Sequence, residues 1–450
     1  MSFFLYLLYI VLTFLRPTEL FWPDLEAFRP MLWLWLLAFG TAFVSVLGQH
    51  NLAGRRAYFG LLAMLIVAIF LSQAINSSMS GALDAMSTFS ASAMLFVLTC
   101  MNLTSTERVR TACNTVAVCL VIIAIMGIAA YHYGWMAQKL VLQQGADTGT
   151  DVFGIDPEII PADDQSGQFL WRVRSVGFLN DPNDLAQVLV MVLPMLWRLY
   201  EKRRALRNLI LVGLPSVIIA YAIYLTHSRG AAVGLGAIFI FATRRRLGTA
   251  RMAALGLVLL FIASVANIGG GGDRDFSTKE ESAAERIEAW YSGIQMLKAK
   301  PVFGVGFGNF IEEHPLTAHN SVVLCFSELG LFGYFFWGGL IVLAFRELDQ
   351  SARLSPKGSA AAQLSATLSS SLAGFMVCAW FLSRTYQPTL YLLLAFCACT
   401  TWCARRDQES TSDAPPWAPR VSWAVATAIA NIAGIAAVYG FVTLSRLSGG

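Results

Sequence analysis

The residues of this chain that could handle protons or anions are few, and they sit at the ends of apolar runs. In "PLTAHNSVVLCFSELG" (315–330), His319 and Asn320 stand side by side where such a run begins. Imidazole exchanges a proton near neutral pH, so His319 reads either as a general base or, with Asn320, as an interfacial helix cap. Asn320 can orient the ring or a substrate hydroxyl. Glu328 follows nine residues on, about 13 Å of helix rise, and has no assigned role. In "YAIYLTHSRGAAVGLGAIFIF", two apolar runs meet at His227-Ser228-Arg229-Gly230 with almost no loop, and Gly230 would permit the reversal. Arg229 there either snorkels to lipid phosphate or binds an anionic substrate group through its planar fork of donors. His227 reads as a packing residue.

Other polar residues form weaker groups. Arg172 and Arg174 flank Val173, so in an extended segment they share a face, either toward one anion or as structural anchors. "GFLNDPNDLAQVLVMVLP" gathers Asn180, Asp181, Asn183 and Asp184 around Pro182 at a helix start, with Asn183 or Asp184 as the expected cap. The same turn could offer donors to sugar hydroxyls. Arg286 has Ser282, Ala283, Ala289 and Trp290 at helical spacing, so no ion pair along the helix accounts for it, although its surroundings are highly charged. "PVFGVGFGNF" lacks the Lys-Ser/Thr ending of a phosphate-binding loop, and its glycines read as close packing of a loop over helices. Arg384 is a further arginine expected at the outward end of a span.

The elements that must position these residues are membrane spans. Of 450 residues, 56% are hydrophobic and 13% charged, against about 25% charge in soluble domains. Apolar runs near the roughly 20 residues a crossing needs fall at 1–15, 31–48, 58–76, 83–101, 113–131, 178–197, 209–227, 230–243, 252–268, 319–344, 363–382, 386–402 and 421–442. The expectation is an all-α polytopic integral membrane protein, a single membrane domain over 1–450, with about 13 spans in a range of 12 to 14. The first run has no basic region or cleavage site before it and reads as a retained helix.

More than half of the 32 basic residues fall in alternate loops, among them Arg55, Arg56, Arg108, Arg110, Arg198, Arg203, Arg244, Arg245, Arg246, Arg251, Arg346 and Arg405. By the positive-inside rule these loops and the N-terminus are cytoplasmic. Two long loops, 132–177 and 269–318, then face outward, the second with an amphipathic helix over 282–298. None of the eight cysteines lies in either loop, so no disulfide framework is expected. The net charge of +4 is accounted for by the cytoplasmic loops and does not indicate nucleic acid.

"RSVGFLNDPNDLAQVLVMVLP", "THSRGAAVGL", "RIEAWYSGIQMLKAKPVFGVGFGNF" and "AHNSVVLCFSELGLFGY", in this order and sidedness, resemble the O-antigen ligase and polymerase superfamily of bacterial membrane glycosyltransferases, over residues 170–345. The resemblance implies a cofactor-free, metal-independent enzyme of the bacterial inner membrane. It would transfer a glycan at the periplasmic face from an undecaprenyl diphosphate donor to lipid A-core, to a carrier-linked glycan or to a protein hydroxyl. Carried over, Arg229 and Arg286 match the diphosphate-handling arginines and His319 the catalytic histidine. Arg172, Arg174, Asn180 and Asn183 match a region near the donor. A transporter or flippase of lipid-linked glycans is the alternative of a different class; it would place charges near the midplane of several spans.

Overall fold

A computed structural model describes residues 1–46, 55–145, 151–152, 160–243, 276–409 and 422–448. The expected span 252–268, Arg244, Arg245, Arg246 and Arg251, and much of the Gly/Asp/Pro-rich middle of the first long loop lie outside the described residues.

The architecture is helical, as hydrocarbon requires of backbone that must bond within its own segment. The principal helices are α1 (Ser2–Leu15), α2 (Pro30–Val46), α3 (Arg56–Asn76), α4 (Met79–Asn102), α5 (Thr106–Tyr133), α6 (Pro182–Trp197), α7 (Ala205–Leu225), α8 (Arg229–Thr243), α9 (Phe276–Ala299), α10 (Ser321–Leu354), α11 (Ala360–Ala379), α12 (Pro388–Glu409) and α13 (Trp423–Ser448). Each expected span within the described residues falls on one of these helices. Seven of the helices (α3, α4, α5, α7, α10, α11, α13) are long and apolar enough to cross a membrane, and α1, α2 and α8 are shorter apolar helices. Thirteen crossings therefore stay an expectation.

The chain divides into two compact units. The first comprises Met1–Gly48, Glu107–Lys279 and Ala366–Cys378. In it, the first long loop carries a feature that helical periodicity did not predict, a three-stranded antiparallel sheet in the order β2-β1-β3, with β1 Val141–Gly145, β2 Asp151–Val152 and β3 Phe169–Val173. Strand β3 alternates as a half-buried strand should. Trp171 and Val173 are buried, Trp171 in a cluster with Leu20, Ala130, Leu140 and Val141, while Arg172 stays partly exposed.

The second unit comprises Gln49–Thr106, Glu280–Ser365 and Ala379–Gly450. Its central element is α10, packed against α3, α12 and α13. It is not one continuous helix. At Gly330 the backbone turns to φ 62°, ψ −168°, a region open only to glycine. The segment 301–306 fills the break. Val305 and Gly306 donate to the carbonyls of Ser327 and Glu328 (2.8 and 3.0 Å), and Leu331 and Phe332 donate to those of Pro301 and Val302 (2.8 and 3.1 Å). A Cβ on Gly304 would meet the Glu328 backbone, and one on Gly330 the Val302 carbonyl. The glycine-rich run thus makes the close packing expected of it.

Arg55, one of the arginines in the alternate loops, is not a solvated charge. It is 1% exposed, lies over the Trp402 ring at 4.4 Å, and donates to the Cys100 carbonyl and to Cys399 Sγ. Its partners come from α4 and α12, which no local pattern around residue 55 could reveal.

Candidate functional site

In the first unit the site residues surround a turn between α7 and α8. Thr226 is fully buried, its hydroxyl donating to Ile223 O at 2.6 Å and accepting from Ser228 N at 3.3 Å. The chain reverses through His227, which is left-handed at φ 50°, and not through Gly230, which lies within α8. Thr226 and the His227 N–H, bonded to Tyr224 O at 3.0 Å, hold the reversal, so the glycine's freedom is unnecessary there. A Cβ on Gly234, one turn later, would meet Cys378 Sγ, so α8 packs close to the end of α11.

Arg229 is the first residue of α8. It is exposed and makes no hydrogen bond or ion pair among the described residues. A cation at a helix N-terminus is opposed by the helix dipole. Guanidinium and unpaired N–H groups together favour an anion.

Arg172 ties the surrounding elements together. Its Nε donates to Thr226 O at 2.9 Å, Nη2 to Asn183 Oδ1 at 3.0 Å and Nη1 to Gln144 Oε1 at 3.4 Å. One side chain of β3 thereby links β1, the start of α6 and the turn before Arg229. Arg174 turns elsewhere, donating to Gln138 O at 3.2 Å, so the two arginines hold different partners despite sharing a face.

The expected cap of α6 is also corrected. Asp181, and neither Asn183 nor Asp184, is the N-cap; its Oδ1 accepts from Asn183 N at 2.7 Å, with Pro182 in the first turn. Proline needs no N–H at that position, so the cap must precede it. Asn183 is left to accept from Arg172, and Asn180 is exposed just ahead of the helix.

In the second unit the centre is the entry to α10. Asn320 is fully buried and caps the helix, its Oδ1 accepting from Val322 N (2.8 Å) and Val323 N (3.1 Å). Its Nδ2 finds no hydrogen-bond partner among the described residues. His319, just before it, is partly exposed and left-handed at φ 46°. Such a backbone costs a β-carbon residue roughly 1–2 kcal/mol and persists only where the surroundings impose it. They do so on both sides. Trp290 Nε1 donates to Ala318 O at 2.9 Å, and beyond His319 the cap fixes Asn320.

Trp290 lies on α9, one turn after Arg286. Ala289, Trp290 and Ile294 form the buried face of this helix, as its amphipathic pattern predicts, whereas Arg286 is exposed. Gly293 lets α9 approach α10, since a Cβ there would press on Val323. Trp290 also packs edge-on against Trp380 (5.9 Å) and against Phe441 (5.3 Å). Glu288 on the same helix is paired with Arg446 at 2.8 Å. The helix that carries Arg286 is thus fixed to the residue preceding His319, a link signalled in the sequence only by the spacing of Arg286 and Trp290.

Residues 214–338 match a family described as O-antigen ligase. They form an O-antigen ligase domain. Arg229, Arg286, His319, Asn320 and the Gly330 break lie within it, while Arg172, Arg174, Asn180 and Asn183 precede it. The described residues thus combine seven helices long and apolar enough to cross a membrane with one stretch that matches the O-antigen ligase family, in keeping with a multi-pass membrane protein. No curated protein matches the chain. Within the O-antigen ligase domain, Glu328 is buried beneath the inserted segment and faces the Tyr386 side chain and the backbone amides of Gly308 and Phe310. These contacts give it a structural setting that the sequence left open.

Proposed function

We propose that the protein transfers a glycan from an undecaprenyl diphosphate carrier to an acceptor hydroxyl at the periplasmic face of the bacterial inner membrane. The observation that carries this reading is the O-antigen ligase domain, which contains a histidine held left-handed between two pinned residues and two exposed arginines. The orientation rests on the concentration of basic residues in alternate loops.

In the reaction, His319 removes the proton of the acceptor hydroxyl as its oxygen attacks the anomeric carbon. The bond from that carbon to the carrier oxygen breaks, and its electron pair leaves with undecaprenyl diphosphate. A diphosphate is a good leaving group that needs charge stabilisation more than protonation. Arg229 and Arg286 supply that stabilisation through donors aimed at developing charge. A single displacement inverts the sugar carbon. Asn320 uses Oδ1 for its cap and keeps Nδ2 to orient the imidazole or a substrate hydroxyl. Arg172 and Asn183 hold the turn that presents Arg229, and Arg174 and Asn180 contribute near the donor. The protein's own residues suffice for this chemistry, with no cofactor in the proposed mechanism.

The test is reconstitution with a synthetic undecaprenyl diphosphate glycan and candidate acceptors, read by product mass. Longer carrier-linked chains identify a polymerase, glycan on lipid A-core a ligase, and glycan on a peptide a protein O-glycosyltransferase. Lipid movement across the bilayer without any product refutes the reading in favour of a flippase. Inserted His319→Ala protein that still turns over removes the general base. Arg229→Ala should cost about 100- to 1,000-fold in kcat, the usual loss for one such donor. Arg229→Lys should recover part of it, keeping the charge and losing the fork.

A further inference from the structure

The segment that follows α11 lies outside the O-antigen ligase domain, yet four hydrogen bonds join it to the residues around His319. Thr317 Oγ1 donates to Ser383 Oγ at 2.9 Å. Ser321 Oγ donates to Leu382 O at 2.6 Å and accepts from Arg384 N at 2.9 Å. Thr385 Oγ1 donates to Ser321 O at 2.8 Å. The Ser321 hydroxyl gives one proton and accepts one, and its carbonyl takes a further bond.

The arrangement is reciprocal. Thr317 and Ser321 stand two residues before and two after His319, while Ser383 and Thr385 are the immediate neighbours of Arg384. Each of the two residues is the midpoint of a segment bonded to the other on both sides. Trp380, four residues before Arg384, packs on Trp290, whose indole is bonded next to His319 and whose helix carries Arg286. Arg384 is itself partly exposed.

We propose that Arg384 is a further substrate-contacting residue, holding an oxyanion of the molecule that reacts at His319. This rests on the glycosyl transfer proposed above. The chemistry required of the ligand is a phosphate or carboxylate oxygen pair, which a guanidinium binds through two parallel donors. Two sources carry it, the diphosphate of the lipid carrier and an acidic group on the acceptor glycan. These four bonds are made by backbone and hydroxyl groups, so exchanging the arginine side chain leaves them in place.

The experiment compares Arg384→Gln and Arg384→Lys with the unaltered protein in the reconstituted assay, measuring kcat, both KM values and thermal stability. Arg384→Gln should lower kcat/KM by at least tenfold with an unchanged Tm, and Arg384→Lys should recover part of the loss. A rise confined to the donor KM assigns the anion to the carrier diphosphate, and a rise confined to the acceptor KM assigns it to the acceptor. Arg384→Gln within twofold of the unaltered protein in every constant overturns the proposal. So does a loss that tracks a fall in Tm and that lysine does not restore, because that marks a merely structural residue. If the unaltered protein yields no product, the glycosyl transfer reading fails first. Titration with undecaprenyl diphosphate then decides Arg384, with weaker binding by Arg384→Gln supporting the contact and equal binding overturning it.

Discussion

The indole of Trp290 donates to the carbonyl of Ala318 at 2.9 Å, one residue ahead of His319. Two helices are joined at that bond, one carrying Arg286 and one entered through His319. Trp290→Phe keeps an aromatic ring between Trp380 and Phe441 but leaves the buried carbonyl without its donor. The expected cost is about 1–3 kcal/mol of stability. Because the histidine backbone is strained, a fall in turnover should accompany it at temperatures where the protein is still folded. Thermal unfolding in detergent and turnover on the same preparation check both.

Asn320 separates two functions on one side chain. Asn320→Asp retains an oxygen for the cap and places a carboxylate at a helix N-terminus, where it is favoured. It loses the Nδ2 donor. Stability should therefore hold while turnover falls, whereas Asn320→Ala should lose both, with about 1 kcal/mol from the cap. Equal activity of the aspartate variant would mean that Asn320 is a cap and nothing more.

Gly330→Ala should be among the most damaging single changes in the second unit. It places a Cβ against the Val302 carbonyl at a φ that β-carbon residues avoid. Displacing 301–306 leaves backbone groups of both partners unbonded, at about 1–3 kcal/mol each. The measurement is yield of folded protein and its Tm, with Gly308→Ala as the milder comparison, since nothing lies within 4 Å of a Cβ there.

Acid should loosen the first long loop before anything else described in it. Hydrogen bonds from Ser166 and from Trp171 Nε1, the latter 2.7 Å long, hold the Asp164 carboxyl below its ordinary range. A carboxylate with a depressed value contributes stability that is complete above its unfolded value, about 3.9, and is lost as pH falls through the folded one. Hydrogen exchange over 160–173 should thus be flat from pH 8 to about 5, after correction for the intrinsic rate. Protection should fall below about pH 4. Asp164→Asn should abolish that step. The carboxyl is partly exposed, so the effect is local and modest.

Helix positions were legible because apolar runs of crossing length leave the chain little alternative. The cap at Asn320 was legible too, since an Asn before an apolar run is a local signal. The cap of α6 does not follow from residue preference alone, because Pro182 excludes the residues after it, a constraint stronger than the preference of Asn183 or Asp184 for capping. The three strands of the first loop are too short for their alternation to stand out beside turn residues. Hydropathy is blind to the break at Gly330, because glycine within an apolar run changes neither its length nor its polarity. Glycine is the commoner reversing residue, so the local sequence points to Gly230 and not to its near neighbour His227.

The plug at Gly330 bears on how the protein is made. A helix with open backbone groups would be costly to release into lipid, yet the segment that completes α10 leaves the ribosome before α10 itself. Residues 301–306 are made before 327–332 and stand close to them in the chain, so the missing bonds can close locally before the span parts from the insertion machinery. Moving this segment elsewhere in the chain, with every contact of the finished structure preserved, would turn a nearest-neighbour pairing into a search conducted inside the bilayer.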